Sequence, residues 1–407
     1  MNSVLPGQPA RVLSGMRPTG RLHLGHYHGV LKNWLKLQTE YECFFFIADW
    51  HALTTHYEES QGLQEHVWDM ATDWLAAGVD PSNATLFLQS RVPAHAELHL
   101  LLSMITPLPW LERVPSYKDQ QAQMPDRDLS TYGFLGYPLL QSADILIYRA
   151  GLVPVGEDQV AHVEITREVA RRFNHLYGRE PGYEAMAEEA IQKLGKKNGK
   201  LYRELRQAFL EQGDKQALVT ARALLERQKN MTLGNKERLF GYLEGGGRLI
   251  LPEPEALLTH APKMPGLDGR KMSKSYANTI SLREDPLEVE KKLKTMPTDP
   301  ARVRRGDPGN PEKCPVWEFH KVYSDDKTRQ WVDQGCRSAG IGCLECKRPV
   351  IDAVLAELKP IQERVAEFAR DPLAVRSIVE DGCKRARDVA EETLVEVRNA
   401  MGLGYNS

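Results

Sequence analysis

Between residues 12 and 179 short apolar runs alternate with stretches of helical period, and that alternation leaves few folds open. Residues 43–48, 85–89 and 145–148 read as strands, with amphipathic segments between them. Strands that alternate with helices build a parallel sheet between helical layers, so an α/β fold is expected. From 183 to about 247 the character changes to polar, helix-forming sequence: Leu201, Leu205, Ala208 and Phe209 share one helical face. Breaks at Asn198-Gly199, Gly213-Asp214 and Gly245-Gly246-Gly247 frame short helices, which together read as an insert rather than part of the sheet. Residues 249–280 read as a Pro- and Gly-punctuated loop. From Pro286 onward the period is helical almost throughout, with apolar stripes over 350–358, 360–370 and 386–401.

At 407 residues the chain fits two domains. Its 53 Lys+Arg against 55 Asp+Glu rule out a globally basic nucleic-acid binder, so any RNA contact must come from local patches. No apolar run approaches a membrane span, and the first ten residues lack a signal-peptide pattern, so a soluble cytoplasmic protein is expected. Neither G-x-G-x-x-G nor a P-loop occurs; if ATP is used, it is held another way.

Two segments ask for a phosphate. In the first, a Gly/Pro loop from Gly15 through Arg17, Pro18 and Thr19 runs into His23-Leu24-Gly25-His26. On a helix the two imidazoles share a face beside an N-terminus whose free N–H groups favour anions, and Gly25 leaves room for a flat ring. On this segment alone, two surface histidines remain the alternative. In the second, Lys271-Met272-Ser273-Lys274-Ser275 follows Gly266 and Gly269 and reads as a mobile cationic loop able to close on a polyphosphate. A solvated lysine loop is the bland reading, which the pairing with the first segment weakens.

Four of the six cysteines, Cys314, Cys336, Cys343 and Cys346, fall in one segment with spacing C-x21-C-x6-C-x2-C. That set suits tetrahedral zinc or an iron–sulfur cluster. Cys43 and Cys383 read as buried thiols.

His23-Leu24-Gly25-His26 and Lys271-Met272-Ser273-Lys274-Ser275 resemble the two signature motifs of class I aminoacyl-tRNA synthetases. Within that class, Tyr137 to Leu146, Val153 to Gln159, Glu164-Ile165-Thr166-Arg167 and Ala48 to Thr54 are similar to the tryptophanyl branch. The resemblance implies a Rossmann-like catalytic domain in two parts, 1–182 and 251–285, interrupted by the helical insert 183–250 and followed by an all-helical anticodon-binding domain, 286–407. It also implies ATP with Mg2+, L-tryptophan and tRNA(Trp) as partners, and a homodimer.

By the same resemblance His23, His26, Lys271 and Lys274 are catalytic, acting on the α-phosphate and the departing pyrophosphate. Arg17, Pro18, Thr19, Gly25, His26, Gly156, Glu157, Asp158 and the segment Lys271, Met272, Ser273, Lys274, Ser275 meet ATP. Asp144 accepts the indole N–H, a donor-only group; Tyr137 and Gln159 hold the α-amine, and His51 belongs to the tryptophan site. Lys118 matches a family lysine near the phosphates. Gln141 stands where some relatives have Met. A subset of tryptophanyl enzymes carries a four-iron four-sulfur (4Fe-4S) cluster on nearly this cysteine spacing, so the resemblance favours the cluster over zinc for Cys314, Cys336, Cys343 and Cys346. The resemblance does not reach the insert, which is either an inert excursion or a contact for tRNA or a partner.

The expected function is therefore activation of tryptophan with ATP and its transfer to tRNA(Trp). The rivals are a tyrosyl enzyme of the same architecture, a small nucleotidyltransferase, which would lack the lysine loop and helical tail, and an inactive RNA-binding paralogue, which would show degenerate motifs.

Overall fold

The computed structural model describes residues 10–115, 129–179, 182–258 and 264–405; Lys118 and the side chains of Asp158 and Ser275 lie outside the described residues. Five strands, β1 (Arg11–Met16), β2 (Glu42–Ile47), β3 (Ala84–Leu88), β4 (Leu152–Val155) and β5 (Glu255–Leu258), form one sheet in the order β3-β2-β1-β4-β5. Every pairing is parallel, with Val12 opposite Cys43 on one side and Leu152 on the other. Helices cover both faces, so β2 carries an unbroken apolar run whose last five residues are all buried. The chain winds outward from β1 to β3, then returns to the far side of β1 with β4. That reversal opens a crevice at the carboxyl ends of β1 and β4, where doubly wound sheets hold their ligands.

Gly15 and Met16, expected in a loop, close the strand β1, and three further details depart from the sequence reading. Residues 145–148 are the end of a helix, Tyr132–Ile147, and the strand follows it as β4. A short apolar run buried on all sides carries no period, so helix and strand cannot be told apart from it. β5 lies inside the stretch read as loop, too short and too weakly apolar to stand out. Asn198 and Gly199 sit within the continuous helix Gly195–Gln212, and the chain instead turns at Gly195, φ 81°. Gly199 stays small because a Cβ there would stand 3.0 Å from the Ile191 carbonyl oxygen of the preceding helix.

The helices of 183–243 build a core of their own around Ile191, Tyr202, Leu225, Leu239 and Leu243. They are tied to the rest by Glu237, buried between Arg149 and Arg248, with Arg248 also pairing Glu396. The last two helices, Cys343–Arg370 and Pro372–Ala400, share the core of the sheet. The final one lies so close on β3 that a Cβ at Gly382 would fall 1.8 Å from the Leu86 carbonyl oxygen. Among the described residues no helix is long and apolar enough to cross a membrane.

Candidate active site

β1 delivers the chain through Arg17, Pro18 and Thr19 to His23, which caps the helix Leu24–His26. The two histidines are locked by backbone donors: Gly25 N–H donates to His23 Nδ1 at 3.1 Å, and His23 N–H donates to His26 Nδ1 at 3.3 Å. Both Nδ1 atoms therefore accept, which leaves the ring proton on Nε2 of each. Burial, and then the Lys274 charge, lowers the His23 pKa to about 4. Burial, His23 and the two lysines lower that of His26 to about 3. At neutral pH these rings are uncharged N–H donors. Gly25 is required locally, since a Cβ there would stand 2.9 Å from the His23 ring.

The lysine segment is fastened to this element. His23 and Ser281 form an antiparallel bridge, Leu24 N–H donates to Ile280 O at 3.0 Å, and Leu282 N–H donates to Leu22 O at 3.0 Å. Lys274 Nζ donates to Thr19 O at 3.1 Å, while Met272 is buried against Gly25. Asn278 shapes the loop by accepting from Ser273 N–H at 2.8 Å and donating to Asp268 at 2.7 Å. Buried Asp73 joins in, accepting from Leu22 N–H and pairing with Arg283.

A cavity of about 380 Å³ opens in the crevice between β1 and β4. Arg17, His51, Tyr137, Gln141, Asp144, Gly156 and Gln159 line it. His23, Lys274 and Ser281 instead border a neighbouring hollow with Arg21 and Lys292, whereas Glu157 is exposed outside both. Asp144 is fully buried and accepts from His51 Nε2 at 2.7 Å, His95 Nδ1 at 2.6 Å and Gln89 Nε2 at 2.8 Å. The other ring nitrogen of His95, Nε2, is hydrogen-bonded to the Tyr148 hydroxyl at 2.7 Å. Burial works to raise the Asp144 pKa, but the charge and hydrogen bonds of His51 and His95 outweigh it and hold the carboxyl well below the usual range. Two of the donors meet at Oδ1, and Oδ2 meets His51.

The family model for class I tRNA synthetases, tryptophanyl and tyrosyl, matches residues 5–199 and 214–359. A tryptophan-tRNA ligase of Ralstonia nicotianae is 68% identical over 398 residues, 98% of this chain and 100% of the relative. That of Thermotoga maritima is 44% identical over 97% of this chain and 100% of its own length. This chain belongs to the tryptophanyl-tRNA synthetase family. The Campylobacter jejuni family member solved with ADP and tryptophan superposes with a TM-score of 0.72 at 27% identity, covering 97% of this chain and 100% of that one.

Against the family signatures, Gln89, His95, Tyr148, His162 and Asn278 are the residues sequence reasoning missed. His162 lines the cavity and stands 3.3 Å from the Tyr137 hydroxyl. A histidine on an apolar helix face gives no sign in sequence that it supports a substrate side chain.

Far along the chain, Cys314, Cys336, Cys343 and Cys346 converge on one small cavity beside Asp299 and Arg302. Cys314 caps the helix Pro315–Tyr323, Cys336 nears the end of Asp326–Arg337, and Cys343 and Cys346 share the first turn of Cys343–Arg370. Burial first, then the neighbouring sulfurs, pushes the Cys346 thiol up to about 12. Gly309 is small because a Cβ would stand 2.7 Å from Cys336 Sγ. Arg302 turns inward, its guanidinium bonded to the Ile341 carbonyl and 3.8 Å from Cys336 Sγ, while nearby Arg304 and Arg305 are exposed. Among the described residues no set of three or more His, Cys, Asp or Glu side chains has a geometry that could hold a single metal ion.

Proposed function

We propose a residue-level account of the family's reaction, in which this chain activates L-tryptophan with ATP and transfers it to tRNA(Trp). Tryptophan occupies the cavity between β1 and β4, with its indole N–H on Asp144 Oδ2. His51, His95 and Gln89 fix that carboxylate, and Tyr137 and Gln159 meet the α-amine. ATP enters with Mg2+, its ribose at Gly156 to Asp158 and its phosphates between Arg17, Pro18, Thr19, Gly25 and the segment from Lys271 to Ser275.

The tryptophan carboxylate oxygen attacks the α-phosphorus, the bond to the bridging oxygen breaks, and pyrophosphate leaves. His23 and His26 donate Nε2–H to the α-phosphate oxygens as negative charge builds there. Lys271 and Lys274 offset the charge on pyrophosphate. A terminal ribose hydroxyl of tRNA(Trp) then attacks the tryptophanyl carbonyl and AMP departs. No side chain need be a nucleophile; catalysis is positioning and electrostatics.

The observation that carries this reading is the backbone bridge between His23 and Ser281, with Lys274 on Thr19, which joins two phosphate-seeking segments distant in sequence. ATP–pyrophosphate exchange against all twenty amino acids tests it. Tryptophan should stimulate best; stimulation by tyrosine, or by none, would overturn it.

In this reading the catalytic domain is 1–182 and 251–285, the insert 183–250 and the anticodon-binding domain 286–407, in a cytoplasmic homodimer. Cys314, Cys336, Cys343 and Cys346 would hold a 4Fe-4S cluster, a choice supported by the spacing shared with cluster-bearing relatives and by four sulfurs around one cavity flanked by Arg302. Zinc is the other chemistry such a set takes. Bound there, the group would supply cross-links among three helix ends.

A further inference from the structure

A half-buried carboxylate outside the substrate cavity contacts the turn that follows His26. Immediately after His26 the chain widens into a π-helical turn, Tyr27–Leu31, before resuming as Lys32–Leu37. Such a turn costs helical regularity and persists where something holds it, frequently beside a functional site. What holds it here is Glu357, on the helix Cys343–Arg370. Its Oε2 accepts from His28 Nε2 at 2.8 Å and from the Tyr323 hydroxyl at 2.7 Å, while Lys32 Nζ lies 2.5 Å from Oε1. His28 is 5% exposed and stands edge-on to the Tyr323 ring, centroids 5.3 Å apart.

All of this charge is compensated within the cluster. Burial works to raise the Glu357 pKa, but His28, Lys32 and Tyr323 together hold it down to about 2. His28 on the π turn and Lys32 at the start of the next helix thus share one carboxylate with Tyr323, at the end of the helix that Cys314 caps. The four side chains of the cluster do not line the tryptophan cavity, but Gly29 and Val30 of the π turn do.

We infer that Glu357, with Tyr323, is a positioning residue for the activation step: it holds the π turn, and through it sets where His26 presents its Nε2–H. The inference rests on the assignment of His26 to the α-phosphate. A misplacement of a catalytic group by a fraction of an ångström lowers turnover.

The test is ATP–pyrophosphate exchange on the full chain with Glu357→Gln, Tyr323→Phe, His28→Ala and the double variant Glu357→Gln/His28→Ala, beside His26→Ala. Glu357→Gln should lower kcat on the order of tenfold to a hundredfold, with a smaller change in the KM for tryptophan, whose cavity the π turn also lines, and the double variant should lose no more than the worse single one. Tyr323→Phe keeps the ring and should give a smaller fall of the same kind, which preserves the test if Glu357→Gln does not fold. Unchanged kcat in folded variants, a loss confined to the KM for tryptophan, or additive losses would each overturn the inference. Full exchange in His26→Ala would overturn it too, by removing the assignment beneath it. Lost exchange there with a normal Glu357→Gln would sink this inference alone.

Discussion

Lys274 and Thr19 meet through one hydrogen bond, Nζ to the backbone carbonyl at 3.1 Å, and so hold the lysine loop against the turn that leads into His23. The contact places a cation at the phosphate end of the site while leaving it free to exchange a carbonyl for a phosphate oxygen. Lys274→Ala should reduce kcat for pyrophosphate exchange on the order of a hundredfold, the loss typical of one missing transition-state donor. The KM for tryptophan should stay put, because Asp144 and Tyr137 lie on other elements. A defect confined to that KM would contradict the assignment.

The histidines predict a pH profile. Both rings have lowered pKa values, about 4 for His23 and about 3 for His26, so neither charges as pH falls through the ordinary imidazole range. The exchange rate should therefore show no acid limb from these groups between pH 6 and 8. The sign for stability is the opposite of a salt-bridged histidine's. The unfolded chain takes up protons near pH 6.5 that the folded one refuses, so their contribution falls as pH drops below that value. A kinetic limb near 6.5 that disappears in His26→Ala would show the ring acting as a cation.

Asp144→Ala should weaken tryptophan discrimination. A charge-assisted hydrogen bond in a dry pocket is worth about 1.5–3 kcal/mol, on the order of tenfold to a hundredfold in tryptophan-over-phenylalanine selectivity. It should also lower the melting temperature, since His51, His95 and Gln89 lose their common acceptor. Stability loss with intact selectivity would assign Asp144 to the scaffold alone.

The cysteines predict a colour. Zinc has a filled d shell, whereas an oxidised iron–sulfur cluster absorbs across the blue end of the visible, so anaerobically purified protein should be brown and contain iron and acid-labile sulfide. Stoichiometric zinc without iron would reject the cluster. Cys346→Ser should abolish the colour and lower tRNA charging before exchange, because the thiols line a cavity apart from the one that holds Asp144.

How much of this was legible beforehand follows from the range of the forces involved. Period and composition specify local structure, so β2, β3 and the helical tail stood out, and two short motifs carried enough unusual chemistry to mark the phosphate end. The family resemblance supplied Asp144, Tyr137 and Gln159, which the fold gathers in one cavity. What sequence could not decide was set by burial. Residues 145–148 are apolar in either conformation, and only packing makes them a helix. The neutrality of His23 and His26 depends on desolvation and two approaching lysines, which no spacing encodes. Likewise Asp144 acquires its ionised state from His51 and His95, and the π turn after His26 is held by Glu357, which lies at the other end of the chain. Residue type fixed which groups could act. The low-dielectric contacts of the folded chain fixed their charge and their aim.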